Sequence, residues 1–263
     1  MPRAEAAEGE RLQKVLSRLG LASRREAEQW IRAGRLTING RTASLGDRLR
    51  ADDQLRIDGR TVRQAPAPDR GYPVLLCHRS PGQPLLKPEA EAEPLVARLP
   101  ARLGHRFISV SPMPLSAGGL ELVSANGTLV ARLQRSVRSL PVEFSLRVRG
   151  ELTEPQVEAI RAGQLDRGGP LEVQELDAQG GAGSNQWHRL VLRGASGNEL
   201  HQLLERCGVS VSRLLRTRLG TLQLERGLAR GQWRELTAAE LAALLSPPEE
   251  LRPSAAGSPG SGQ

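Results

Sequence analysis

The chain has 263 residues, a formal net charge of +8 and a pI near 10.9. That length suits one large domain or two smaller ones with a buried core, and the charge favours a polyanionic partner, nucleic acid above all. Two cysteines, Cys77 and Cys207, make no disulfide framework, and no apolar run nears the roughly 20 residues needed to cross a bilayer, so a soluble cytoplasmic protein without a membrane partner is expected.

Charge gathers at the front. Residues 1–65 hold 14 Lys+Arg against 9 Asp+Glu, a net of +5, and the other 198 residues carry +3. After a leader over 1–9, Leu12, Val15, Leu16 and Leu19 recur at helical spacing and Gly20 stops the helix. Ser23 is a good N-cap, with Glu26 completing a capping box, and Ala27, Trp30 and Ile31 form the apolar face that follows. Gly34 ends that helix. "RLTI" reads as a strand, Asn39-Gly40 as a tight turn, and "DQLRIDG" as a second strand closed by Asp58-Gly59. These elements make a small domain over 10–63. "QAPAPDRG", 64–71, is a Pro-rich linker, and the Pro-, Gly- and Ser-rich stretch 246–263 has the composition of a disordered tail.

Residues 72–245 form a larger domain. Strand-like runs at Val74 to Cys77, Leu120 to Val123, Phe144 to Val148 and His188 to Leu192 alternate with helical patterns at Thr128 to Gln134, Glu154 to Ala162 and Asn198 to Cys207. This order predicts an α+β fold with a mixed or antiparallel sheet. Glu121 alternates with Leu120 and Leu122 and is expected on the opposite strand face from them, as a surface or strand-face charge. Asp166 and Asp177 fall in loop-like stretches. The four histidines show no metal-ligand spacing, and Ser111 and Ser116 have no neighbouring base to activate them.

In the small domain, Arg11 and Lys14 open the first helix, Arg24 and Arg25 open the second, and Arg32 and Arg35 follow two and three turns on. Together with the amides at the second helix's start they present one basic face suited to phosphate. Aromatic residues are scarce, so shape and backbone recognition of folded RNA is expected over base reading. Leu12, Lys14, Leu16, Gly20, Ala22, Ser23, Arg24, Arg25, Ala27, Ile31, Gly34, Arg35, Asn39 and Gly40 resemble the small RNA-binding domain first known from ribosomal protein S-four. The resemblance implies that this face, with Ser23 and Asn39, binds structured ribosomal RNA.

The whole arrangement over about 10–245 resembles the RsuA/RluB/RluE/RluF family of ribosomal pseudouridine synthases. The scaffold matches are "PLVARLP", "GGLELVSANGTLVARL", "NQWHRLVL", "CGVSVSRLLRTRLGTL" and "RGQWREL". The family's catalytic segment, G-R-L-D-x-x-T-x-G-L-L-x-x-T-x-D-G, falls on Ser111 to Gly127. Pro112 stands at its Arg and Pro114 at the Asp that starts the isomerisation of a flipped-out uridine without any cofactor. Phe144 takes the place of the tyrosine lining the uridine pocket, "ASGNELHQ" (195–202) that of an Arg-rich segment, and Arg79-Ser80-Pro81-Gly82 that of a Lys-Pro-x-Gly loop. The resemblance therefore implies a monomeric, metal-free RNA-binding relative that has lost catalysis, acting in ribosome assembly. Two other readings stand beside it: an active synthase using another carboxylate, and a protein-interaction module partnering an active paralogue.

Overall fold

A computed structural model of the chain describes residues 9–62, 72–89, 91–104, 106–165, 171–182 and 184–246. The expected linker 64–71, Asp166, His105 and the expected tail beyond Ser246 lie outside these residues. Two compact units emerge. The first takes the chain up to Pro73 together with Arg98–Ile108 and Ser124–Gly127, and the second takes the remainder.

The first unit begins with β1 (Glu10–Arg11), α1 (Leu12–Arg18) and α2 (Arg24–Arg32). Then follow β2 (Leu36–Ile38), β3 (Arg41–Thr42), β4 (Arg48–Leu49), β5 (Leu55–Ile57) and β6 (Arg60–Val62). The local rules explain these boundaries. Gly20 takes φ +74° after α1, a conformation in which a side chain is strained. Ser23 Oγ accepts from the Glu26 amide at 3.0 Å while the Glu26 carboxylate accepts from the Ser23 amide, which is the anticipated capping box. Asn39 and Gly40 both have positive φ and close the β2–β3 hairpin, and Asp58 and Gly59 do the same for β5–β6. Leu12, Val15, Leu16, Ala27, Ile31, Leu36 and Leu55 form one core, each fully buried large aliphatic contributing about 1.5–3 kcal/mol.

The second unit is built on β7 (Val74–Arg79), β8 (Ile108–Ser109), β9 (Gly118–Ser124), β10 (Val142–Arg149), β11 (Glu172–Ala182), β12 (Asn185–Arg193), β13 (Val211–Leu219), β14 (Leu222–Gln223) and β15 (Trp233–Glu235). The helices are α3 (Gly127–Ser136), α4 (Glu154–Ala162), α5 (Gly197–Arg206) and α6 (Ala238–Leu245). The sheet runs β11-β12-β10-β13-β9-β7-β15, with β14 beside β13 and β8 beside β9. β13 pairs β9 in parallel, whereas β10 pairs both β12 and β13 antiparallel. The fold is α+β with a mixed sheet, as the order of patterns predicted. Asp177, expected in a loop, instead stands on β11 opposite Arg189 of β12.

Two strand types explain the core. β10 alternates: Val142, Phe144, Leu146 and Val148 are buried, while Glu143, Ser145 and Arg147 on its other face are half-buried. β9 is buried at every position, so both of its faces are covered.

Candidate functional site

The segment Ser111–Ala117 enters β9 through a turn in which the Ala117 amide donates to the Pro114 carbonyl at 3.1 Å. Two buried arginines hold this loop by its backbone. Arg79, at the end of β7, donates from Nη2 to the Pro114 carbonyl at 2.8 Å and from Nη1 to the Gln83 carbonyl at 3.0 Å. Arg216, on β13, donates from Nη1 to the Ser111 carbonyl and hydroxyl, both at 3.0 Å, and from Nε to the Leu120 carbonyl at 2.7 Å. Between them lies Glu121, whose carboxylate accepts from Arg79 Nε at 3.0 Å and from Arg216 Nη2 at 2.8 Å.

Glu121 and Arg216 are 0% exposed and Arg79 is 1% exposed. The expectation of a surface charge at Glu121 is thus overturned. Alternation with Leu120 and Leu122 does set its face, but that face is covered too: β9 is buried at every position, and the Arg79 and Arg216 side chains lie on the carboxylate. Burial pushes the Glu121 carboxyl up, and the charges of Arg216 and Arg79 pull it back. A buried carboxylate is stable only when paired and hydrogen-bonded, and here both oxygens have a guanidinium donor.

Glycines make the close approach possible. Gly119 has φ +94°, and a Cβ there would lie 2.3 Å from the Arg216 carbonyl oxygen. A Cβ on Gly118 would meet the Arg79 carbonyl at 2.6 Å. On the other side Met113 packs on the first residue of α5, where a Cβ on Gly197 would sit 2.0 Å from its sulfur. Phe144 is fully buried. Pro112, Leu115 and Ser116 are the exposed residues of the loop, and none can accept a proton or attack a nucleoside at neutral pH. The Ser111 hydroxyl is spent on Arg216.

The basic face of the first unit is the second element. Arg11, Lys14 and Arg24 line one cleft of about 610 Å³ with Arg48, Gln13, Glu10 and Glu28. Arg24 and Arg25 are exposed with no ion pair among the described residues. Lys14 pairs with Glu10 at 3.1 Å, and Arg32 lies 4.0 Å from Glu28. The structure gives the others local tasks. Arg35 is gripped by Asp58 and lies 4.8 Å from the Trp30 ring centroid, Asn39 bonds Asp53 and the Gln54 amide, and Ser23 caps α2. The amides at the start of α2 were expected to be free for an anion; the capping box occupies part of that set. Sequence reading missed Arg48 on this cleft, and Arg216 beneath the loop.

Comparison with known proteins fits both parts. Residues 10–55 match the S4 domain. Over 232 residues the chain is 37% identical to ribosomal large subunit pseudouridine synthase B of Pasteurella multocida, covering 87% of this chain and 67% of that one. It is 36% identical over 234 residues to the protein of the same name from Salmonella typhimurium, covering 88% of this chain and 80% of that one. The chain belongs to the family of ribosomal large subunit pseudouridine synthase B. It spans 64–67% of the length of three of the curated relatives it matches. A crystal structure of a pseudouridylate synthase shares the fold, with TM-score 0.56 and 17% identity over 90% of this chain and 100% of that one. Among the described residues no helix is long and apolar enough to cross a membrane, and no three His, Cys, Asp or Glu side chains gather as metal ligands do. Against this family's frame, the Arg79–Glu121–Arg216 cluster sits directly under the segment that the resemblance aligns with the catalytic one.

Proposed function

We propose that the protein binds structured ribosomal RNA through the basic face of its S4 unit and leaves the RNA's uridines unisomerised. The observation that carries this reading is Pro114. A proline with no side-chain proton acceptor occupies the centre of the loop, and its carbonyl is tied to Arg79. The carboxylate bonded to that same arginine, Glu121, is fully buried and neutralised by two guanidinium groups. A nucleophile in that state has no access to a nucleoside, because both of its oxygens are buried and bonded to guanidinium groups. Arg11, Lys14, Arg24, Arg25, Arg32 and Arg35 supply the positive surface, Ser23 and Asn39 hold its helix and turn, and the second unit serves as a docking body on assembling ribosomes in the cytoplasm. No cofactor and no metal take part.

Mobility-shift titration against a ribosomal RNA fragment tests the binding half. The expected result is an affinity that falls steeply with salt and drops at least tenfold in R24E/R25E, since each lost phosphate contact removes a counterion-release contribution. Unchanged affinity in that variant would remove the S4 face from the account. Carbodiimide mapping of the RNA recovered from the complex tests the other half: reverse-transcription stops should match those of RNA incubated alone. New stops that disappear in Glu121→Gln would instead establish an active synthase using Glu121.

A further inference from the structure

A second basic surface lies on the sheet of the second unit, on the side away from Phe144. In β10 the residues that alternate with the buried Phe144 and Leu146 include Arg147 and Arg149. Arg147 is directly opposite Trp187 of β12 on one side and Arg213 of β13 on the other. Its guanidinium lies 5.8 Å from the Trp187 ring centroid, and its Nε is buried with no hydrogen-bond partner. Arg149 stands opposite Asn185, one pleat further along.

Charge on this face is unevenly balanced. Glu143, Glu175 and Asp177 all lie towards one end, where they engage Arg189, and Glu143 also engages Arg218 at 3.5 Å. At the other end Arg147, Arg149 and Arg213 have no carboxylate partner among the described residues. Like charges directly opposite one another weaken a sheet, so Arg147 facing Arg213 costs folding stability, a cost that an anion between them would relieve. The half-exposed Trp187 ring, one of only three tryptophans in the chain, adds a flat apolar platform beside that anion site.

We propose that Arg147, Arg149, Arg213 and Trp187 seat a single-stranded RNA segment, with a base stacked on Trp187 and neighbouring phosphates held by the arginines. Arginines around a stacking ring suit a polymer that alternates bases and phosphates. An acidic polypeptide would satisfy the arginines and leave the ring unused. The inference rests on the proposed RNA-binding role but assigns a separate surface, distinct from both the S4 face and the loop at Pro114.

The test uses the full chain, a fluorescein-labelled twelve-residue oligouridine and a ribosomal RNA hairpin, with binding read by anisotropy. The expected result is oligouridine binding that weakens at least tenfold in R147Q/R213Q and several-fold in Trp187→Ala, with Trp187→Phe restoring most of the loss. The slope of log affinity against log salt should fall by about 1.4 in the double variant, from roughly 0.7 per phosphate on a single strand. R24E/R25E should weaken the hairpin and spare the oligouridine. Wild-type protein that binds neither RNA overturns the proposed function itself. Hairpin binding without oligouridine binding, or oligouridine binding indifferent to the sheet variants, overturns this inference alone. Polyglutamate that competes as well as oligouridine and ignores Trp187→Ala would show an acidic-protein surface and also overturn it. Circular dichroism melts check that each variant is folded, and R147K/R213K, which keeps both charges, should retain most oligouridine affinity.

Discussion

Replacing Glu121 by leucine should unfold the second unit far more readily than a surface change would. Among the described residues, the substitution removes the only carboxylate bonded to Arg79 and Arg216 and leaves two buried guanidinium groups without it. Breaking a buried ion pair from one side costs about 3–5 kcal/mol, because the remaining charge stays desolvated. At about 2–4 °C per kcal/mol for a domain of this size, the melting temperature should fall by roughly 6–20 °C. The two units need not unfold together, so the readout must be specific. Trp30 belongs to the first unit and Trp187 and Trp233 to the second, so urea titration by tryptophan fluorescence in a Trp30→Phe background reports the second unit. Simultaneous replacement of Arg79 and Arg216 by methionine should not rescue Glu121→Leu to wild-type stability. The carbonyls of Pro114, Gln83, Ser111 and Leu120 would lose their guanidinium donors. A loss below about 1 kcal/mol in Glu121→Leu would refute the argument, since it would mean that the arginines do not depend on the carboxylate.

Four further outcomes follow from single sites. Gly119→Ala should be strongly destabilising in the same titration, because the new methyl group meets the Arg216 carbonyl at 2.3 Å in a backbone conformation of φ +94°. Ser23→Ala should cost about 1 kcal/mol in the first unit, read by Trp30 fluorescence, through loss of the α2 cap. Glu240, held by Arg234 and the Thr237 cap, has its carboxyl lowered to about 2. Its stabilisation is therefore present above the ordinary glutamate range and is lost as pH falls from about 4.5 towards 2, so Glu240→Gln should flatten acid unfolding in that window. Cys77 is buried and its thiol is pushed up to about 12 by burial and by Glu121, so it should resist thiol reagents at pH 8 until urea unfolds the second unit.

The parts of this fold that read directly from the sequence are those whose causes are local. The Ser23–Glu26 box, the Asn39-Gly40 and Asp58-Gly59 turns and the starts of α4 and α5 need only a few consecutive residues, and each lies within a residue or two of its expected place. Glu121 did not read correctly because its environment is set by residues 42 and 95 positions away, Arg79 and Arg216. Period-two alternation tells which face a side chain takes and says nothing of whether that face is covered. The role of Arg216 was hidden for a related reason. "VSRLLRTRL" carries three arginines: alternation puts Arg216 on the buried face with Leu214 and Arg213 on the other, and the register shift between Glu143 and Phe144 brings Arg218 opposite Glu143. Asp177 was misplaced because its strand is fixed by pairing with β12, and β11 continues through Gly180 and Gly181 to Ala182.

The most direct test of the account is a single-turnover tritium-release experiment, with protein in excess over ribosomal RNA labelled at uridine C5 and binding verified in the same tubes. The account predicts RNA fully bound and tritium release equal to the protein-free control. Stoichiometric release that vanishes in Glu121→Gln but survives in a surface control such as Glu172→Gln would contradict it.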